Sequence, residues 1–414
     1  MDVLGQAARY EPLVIEHRRH LHRHPELSNL EFETLKYIDA ALTEYGIAHY
    51  EVENGGILGF IGTGPDDNTV LLRADIDALP IKENPRNLKR EREVISLSDG
   101  VQHACGHDAH TAILLTAAKL LQENEAQLSN GRVLLLFERG EEGTGNLRYL
   151  LRHILDNNIK VSGAHGLHVR ADLPAGKLIA RNGAIMAGAA AFDVTLRGQG
   201  GHGSRPDLSN NPLDCFVALY NALTSIRLKS VSPFEPLTFS IGQLRCGDKG
   251  NVIPDELTFS GSARFYKPEV GGIFIERFKK SLAEISAAYG VKYGINHLLQ
   301  GPPTVNNAQA AGFAQQVIRG ALGDVLEDGE PLMGSESFSS IARLYPSAFL
   351  FLGIENEAYG SGADLHSEYF DIDEAALKTG VAETVAFAME FVKAAPKFEH
   401  QPCDPEEILA WFDR

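Results

Sequence analysis

The sequence contains little cysteine and fewer basic than acidic residues, and each scarcity excludes a class of protein. Four cysteines (Cys105, Cys215, Cys246 and Cys403) are spread over 414 residues without a CxxC pair, which fits neither a disulfide scaffold nor a zinc finger. With 38 Lys and Arg against 55 Asp and Glu, the formal net charge of -17 disfavours nucleic acids and anionic membranes as partners.

Long apolar runs and several enzyme signatures are also missing. No stretch of about 18 apolar residues occurs, and the N-terminus MDVLGQAARYEPLVIEHRR lacks the basic start and apolar core of a signal peptide. Neither GxSxG nor GxxxxGK[ST] is found, which removes the usual signatures of serine hydrolases and nucleoside triphosphatases. The scattered cysteines and the N-terminus without a signal-peptide pattern together predict a protein of the reducing cytoplasm.

The pattern of apolar segments predicts an α/β fold. Short apolar runs such as NTVLLRADIDALP, GRVLLLFERGEE and SAFLFLGIEN alternate with longer helical patterns such as TAILLTAAKLLQEN. We expect a mostly parallel sheet with helices on both faces. The section 186–296 differs, because its order of strand, helix, strand, strand and helix is that of a smaller α+β sandwich inserted into the larger domain.

One short stretch, VQHACGHDAHTAILL, places a cysteine and three histidines directly before an apolar helical pattern. Cys105 and His107 are two positions apart, so a loop can direct both side chains to one ion. A thiolate and an imidazole together suit Zn²⁺ or another borderline transition metal. The alternative is a loop with a buried thiol and solvated histidines, and this stretch alone does not decide between the two.

Acidic and imidazole side chains recur where other predicted strands end, and open α/β sheets bind ligands outside the carboxyl ends of their strands. These residues are Asp75 and Asp77, Glu141 and Glu142, His165 and His168, and His366. In the Glu141–Glu142 pair, one carboxylate can ligate a metal while the other takes a proton from water. A solvated charged turn would also explain that pair alone, but the recurrence at several strand ends predicts a metal site.

Three other features have simpler interpretations. The stretch HRRHLHRHPEL contains His17, His20, His22 and His24, which we interpret as a basic, solvated helix end. The stretch GQGGHG, residues 198–203, matches GxGxxG, but no helix pattern and no strand-end acid follow it, so we do not predict a dinucleotide site. Its His202 lies in a loop rich in glycine. The tail EHQPCDPEEILAWFDR is interpreted as a packed terminal helix.

The motifs together resemble one known family. HACGHDAHTA, LLRADIDALP, the glutamate pair, GLHV, GGHGSRP, NVIPDE, MGSESF and LHSEYFD occur in the order and approximate spacing typical of the metallo-aminoacylase and carboxypeptidase family. The most similar branch contains N-acyl-amino-acid amidohydrolases, hippurate hydrolases, acetyldiaminopimelate deacetylases and auxin-conjugate hydrolases. The resemblance implies a catalytic metal-binding domain, 1–185 and 297–414, and a lid domain, 186–296, that forms a homodimer or a higher oligomer.

The resemblance also implies roles for individual residues. The implied ligands of one or two divalent ions (zinc, manganese, cobalt or nickel) are Cys105, His107, Glu142, His168 and His366. Glu141 would be the general base, and Asp77 would orient a ligand or the base. His202 would stabilise the oxyanion, often in the active site of the partner subunit. Asn251 and Arg264 would contact the carboxylate end of the substrate.

The implied reaction is the hydrolysis of the amide bond of an N-acyl amino acid by metal-activated water, without a covalent intermediate. One alternative is a dipeptidase or carboxypeptidase that acts on unblocked peptides. A second is a protein that binds a small carboxylate without turnover, but a binding protein has no need of Glu141.

The chain departs from the family pattern at two motifs. Arg139-Gly140 stands where Pro-Ala is common before the glutamate pair, so we expect a looser turn and an extra positive charge near the base. Ser337 stands where an aspartate is common. The segment 83–100 is unusually charged, and we hypothesise that it shapes the entrance for a particular acyl group or side chain.

Overall fold

A computed structural model describes residues 2–143 and 145–412. The chain divides into two compact units, which we call the larger unit (2–183, 305–330 and 340–412) and the smaller unit (184–304 and 331–339). In the described residues, no helix is both long enough and apolar enough to cross a lipid bilayer.

The described helices and strands are as follows. The α-helices are α1 (Val3–Arg9), α2 (Glu11–Arg23), α3 (Phe32–Glu44), α4 (His107–Glu123), α5 (Leu147–Asp156), α6 (Pro212–Lys229), α7 (Pro268–Ala288), α8 (Ala308–Ala321), α9 (Phe338–Leu344), α10 (Leu377–Ala394) and α11 (Pro405–Leu409). The strands are β1 (Ala48–Val52), β2 (Gly56–Ile61), β3 (Thr69–Asp75), β4 (Arg132–Glu138), β5 (Gly163–Pro174), β6 (Leu178–Ile179), β7 (Gly183–Met186), β8 (Gly188–Arg197), β9 (Gly201–His202), β10 (Leu237–Cys246), β11 (Val252–Ile253), β12 (Glu256–Phe265), β13 (Lys292–Gly301), β14 (Thr304–Asn306) and β15 (Ser347–Glu355).

The sheet of the larger unit has the strand order β1-β2-β4-β3-β5-β15-β6. Its central strands β4, β3, β5 and β15 run parallel, whereas β2 and β6 run antiparallel to them on the two sides, and β1 pairs antiparallel with β2. The α/β prediction with a largely parallel sheet is confirmed. The central strands are nearly continuous apolar runs because such strands are buried on both faces.

The smaller unit contains an antiparallel sheet with the strand order β10-β12-β8-β13. Helices α6 and α7 supply its core together with the sheet, and Phe192, Phe259, Phe274 and Phe278 are buried there. Strand β13 was not among the predicted strands. Its sequence KYGINHLLQG contains two glycines, and most of its first residues are exposed, so it lacks the alternation that marks a strand.

Candidate metal centre

The metal loop brings Cys105 and His107 close to strand β5. Gly106 between them has φ +86°, and a Cβ on it would lie 2.4 Å from a methyl group of Val169. Only glycine therefore lets this loop pass so close to the strand. His168 on β5 lies opposite, with its Nε2 3.5 Å from Cys105 Sγ. All three candidate ligand side chains are buried.

The turn after β4 brings the glutamate pair to the same place. Glu142 Oε1 lies 3.9 Å from His107 Nε2 and 3.3 Å from His366 Nε2. His366 has φ +61°, and its backbone N–H donates to the carbonyl of Ala104, so the loop after β15 is held against the metal loop. The predicted ligands thus come together although they lie far apart in the chain. The prediction that His165 and His168 end a strand is wrong, because β5 continues to Pro174 and both residues lie within it.

Four overlapping groups of donor atoms result among the described residues, and within each group the atoms lie within 4.8 Å of one another. The groups are Cys105, His107 and His168; Asp75, His107 and His110; Cys105, Glu142 and His366; and His107, Glu141 and Glu142. Among the described residues, His107 Nε2 and Glu142 Oε1 are buried without a hydrogen-bond partner. A divalent cation between these atoms would satisfy both, so the residues fit a metal ion.

The protonation of His168 agrees with this fit, whereas at His107 burial is outweighed by the charges of Asp75 and Cys105 and the hydrogen bond to Asp77, which raise the pKa well above its ordinary value, so metal binding there must release a proton. Burial lowers the pKa of His168 well below its ordinary value, so its imidazole is neutral, the form that ligates metals. Burial raises the pKa of the Cys105 thiol, so the thiolate form requires a nearby cation. This pocket of mixed thiol, imidazole and carboxylate donors suits zinc or another transition metal.

Asp77 orients two of these groups. Its Oδ1 lies 3.1 Å from His107 Nδ1, and its Oδ2 accepts the backbone N–H of Glu142 at 3.1 Å. Burial raises the pKa of Asp77, but the hydrogen bonds and the charge of His107 more than compensate, and its pKa is lowered. The carboxylate therefore directs His107 Nε2 towards the donor group, as is usual for metal-bound histidines.

Two other candidate residues are Asp75, which lies beside the metal centre, and His165, which belongs to the core of the larger unit. Asp75 contacts His110 Nδ1 at 2.7 Å and accepts from Arg73 at 2.7 Å. His165 pairs with Glu383 of α10 at 2.9 Å. His110 was not predicted, although its spacing of three from His107 on α4 places both on one helix face.

The interpretation of the N-terminal histidines as solvated is wrong for His17 and His22, which are buried in α2. His22 lies 2.8 Å from both Asp108 and Glu83, so it joins the helix that carries His107 to the charged segment. Nearby, Arg18 pairs with Asp108 at 2.9 Å. The burial of His17 and His22 could have been predicted from the sequence, because the buried positions of α2 follow the spacing of an amphipathic helix.

The charged segment 83–100 contributes to the same buried ion cluster. Arg92 lies 3.2 Å from Glu83 and 3.8 Å from Asp371. Arg18 also contacts Asp371, at 3.5 Å, and Glu374, at 3.2 Å. The cluster therefore joins the metal loop to the segment that follows His366.

The predicted substrate-contact residues lie in the smaller unit. His202 on β9 is exposed, and its Nδ1 accepts the N–H of Ser204 at 3.1 Å. Asn251 immediately precedes β11, which pairs with β9. Arg264 on β12 is partly buried, and this burial lowers its pKa. Ser337, in the stretch 331–339 of this unit, donates to Glu336.

Comparison with known proteins yields one family and several relatives. The model of peptidase family M20/M25/M40 matches residues 71–390. Thermostable carboxypeptidase 1 of Saccharolobus solfataricus is 33% identical over 389 residues, which is 92% of this chain and 96% of that protein. N-acetyl-L-cysteine deacetylase of Bacillus subtilis is 34% identical over 369 residues, 89% of this chain and 85% of that protein.

The fold is also similar to solved structures. A dinuclear metal-binding peptidase of the M20 family from Bacillus subtilis superposes with a TM-score of 0.76 at 27% identity, covering 93% of this chain and 99% of that one.

Proposed function

The chain belongs to peptidase family M20/M25/M40 and is a metal-dependent hydrolase of amide bonds, and we propose that its substrates are N-acyl amino acids. The observation that carries this proposal is the overlap of four donor groups, two of which include Glu142 of the Glu141–Glu142 turn. A glutamate beside a set of metal donors is the arrangement that hydrolysis by activated water requires.

We propose that Cys105, His107, Glu142, His168 and His366 hold one or two divalent ions. When bound, such an ion supplies Lewis acidity, which lowers the pKa of water towards about 7 and polarises a carbonyl group. Zinc, manganese, cobalt and nickel are the candidates, and the thiol in the donor set favours the softer of these.

Glu141 then acts as the base and the acid of the reaction. Its carboxylate takes a proton from the attacking water and returns it to the leaving amine as the amide bond breaks. Asp77 keeps His107 and the backbone of Glu142 in place during this transfer. His202 is proposed to donate a hydrogen bond to the oxyanion, and Asn251 and Arg264 to bind the carboxylate of the amino acid.

We further propose the catalytic domain at 1–185 and 297–414, the lid domain at 186–296, and a homodimer formed through the lid. The exposed apolar side chains of Val217, Tyr220 and Leu228 on α6 support this interface. Among the described residues, β10 is an edge strand of the four-stranded sheet, and edge strands can pair with another chain. The four cysteines are unpaired, which suits a reducing cytoplasm.

A carboxypeptidase or dipeptidase activity is the second candidate, favoured by the similarity to a carboxypeptidase. The two activities differ in whether the substrate carries a free α-amino group. A role in binding without turnover is not proposed, because the base and the donor set are both present.

The test is hydrolysis of N-acetyl, N-benzoyl and long-chain N-acyl amino acids, together with unblocked dipeptides, by protein stripped with a chelator and reloaded with one metal at a time. Glu141→Gln should lose turnover by about 10²–10⁴-fold and keep its metal. Glu51→Gln on the exposed face of β1 serves as the matched control. Cleavage of dipeptides alone would favour the second candidate, and metal binding without any turnover would contradict both.

A further inference from the structure

The turn that carries Glu141 and Glu142 is braced by a short segment from a distant part of the chain, residues 28–31. Ser28 donates to Asp77 Oδ2, the same oxygen that accepts the N–H of Glu142. The carbonyl of Asn29 accepts from Arg139 at 2.9 Å, and the side chain of Asn29 accepts from Asn146. The segment therefore touches the turn before and after the glutamate pair.

Glu31 is the centre of this brace. Its side chain is fully buried, Oε2 accepts from Arg139 Nε at 2.9 Å, and Oε1 accepts the backbone N–H of Gly140 at 2.8 Å. One carboxylate thus fixes a side chain and a backbone group at adjacent positions of the turn. Gly140 has φ +64°, a conformation that glycine adopts without strain, so the turn can bend sharply at the point where Glu31 holds it.

The expected extra positive charge near the base is therefore paired. The guanidinium of Arg139 lies between Glu31, the carbonyl of Asn29 and the ring of Phe32, whose centroid is 5.2 Å from Arg139 Cζ. Hydrogen bonds between charged partners are about twice as strong as neutral ones. Arg139 and Gly140 therefore form a turn that is fixed by hydrogen bonds to Glu31, and not the looser turn that the sequence predicted.

We propose that Glu31 is a positioning residue that sets the Glu141–Glu142 pair against the metal centre through Arg139 and Gly140. The proposal rests on the function assigned above. A displacement of about 1 Å at a reacting group can cost about 10²-fold in rate, and Glu141 and Glu142 must point in different directions from one turn. A rigid turn is thus required for the base to reach the water while its neighbour reaches the ion.

The test compares Glu31→Gln with Glu26→Gln. Glu26 is in the same part of the chain and also accepts backbone N–H groups, those of Glu33 and Thr34, but these hydrogen bonds do not reach the turn. Three quantities are measured for each variant: kcat and KM on the best N-acyl amino acid, the affinity and visible spectrum of bound Co²⁺, and the melting temperature of the metal-free protein. The Co²⁺ measurements need no substrate.

We expect Glu31→Gln to lower kcat by about 10–100-fold with little change in KM, and to alter the Co²⁺ spectrum because Glu142 shifts. Glu26→Gln should match the wild type in all of these. A Glu31→Gln variant that melts at a lower temperature but keeps the wild-type kcat and Co²⁺ spectrum at 25 °C would overturn the proposal, because Glu31 would then only stabilise the fold.

The double variant Glu31→Gln with Arg139→Gln covers the case in which a lone buried guanidinium prevents folding. This double variant leaves no unpaired charge. The glutamine at position 139 is shorter than arginine, so it cannot donate hydrogen bonds to both the side chain at position 31 and the carbonyl of Asn29. A lowered kcat and an altered spectrum are expected again, and wild-type values for both would refute the role of Glu31. If the wild type itself hydrolyses no substrate, the proposed function fails, while the Co²⁺ spectrum still tests the position of the turn.

Discussion

Replacement of Asp77 by asparagine should weaken metal binding more than it weakens the fold. Asp77 has hydrogen bonds on two sides, to His107 Nδ1 at 3.1 Å and to the N–H of Glu142 at 3.1 Å. An asparagine has one oxygen, so its NH₂ group would face either His107 or Glu142, and a donor would then face another donor. One of the two proposed ligands therefore loses its hydrogen bond through a change of one atom.

The magnitude follows from the bond that is lost. A hydrogen bond to a charged group contributes about 1.5–3 kcal/mol, and 1.4 kcal/mol corresponds to a factor of about ten in an equilibrium constant. We therefore expect Asp77→Asn to weaken Zn²⁺ binding by about 10–100-fold, the usual range for partners of metal-bound histidines.

The assay is a titration of the stripped protein with Zn²⁺ in competition with a chromophoric chelator. Asp39→Asn is the control, because Asp39 also lies 3.0 Å from a histidine, His49, but at the surface. Zinc affinity of Asp77→Asn within about twofold of wild type, well short of the expected range, would show that Asp77 does not orient the ligands.

Three further results are expected. Removal of the metal should lower the melting temperature in calorimetry, because an ion at 100 times its Kd stabilises the fold by about 2.7 kcal/mol; an unchanged melting temperature would contradict a metal centre in the native fold. Arg18→Met should lower the free energy of unfolding by about 3–5 kcal/mol in urea titrations, because the buried carboxylate of Asp108 loses its arginine partner, whereas Glu374 keeps its ion pair with Arg19. Burial lowers the pKa of His17 to about 4, so the unfolded state binds the proton first and stability should fall as the pH drops from about 6.5 towards 4. His17→Gln should reduce this dependence, and equal slopes in both proteins would exclude His17 as its source.

The sequence predicts that the candidate ligands lie close together, because each of them belongs to a local pattern next to a strand or a helix. Cys105 lies just before a strongly apolar helix that begins at His107, and Glu141 and Glu142 follow a strand that is apolar along most of its length. Parallel strands place their carboxyl ends at one edge of the sheet, so side chains far apart in sequence meet there. The spacing within each motif and the order of the motifs predict that these side chains lie close together, as they do, and their role as ligands stays a prediction.

The brace and the ion cluster could not be predicted in this way. Glu31 and Arg139 are 108 positions apart, and neither belongs to a periodic pattern that would point to the other. The burial of His22 follows from its place on the helix face, but its contact with Asp108 depends on how α2 packs against α4. Charges that are paired by tertiary packing look, in the sequence, like charges of a solvated surface.

The strand order also determines the stage of synthesis at which the sheet of the larger unit can be completed. Strand β5 pairs in parallel with β15, although residues 184–304 of the smaller unit lie between them in the chain. A nascent chain that has just finished the smaller unit still has an open edge at β5 and lacks His366. Such an edge is prone to pair with other chains, so the late segment closes the sheet and supplies His366, the last of the proposed ligands, at the same stage of translation.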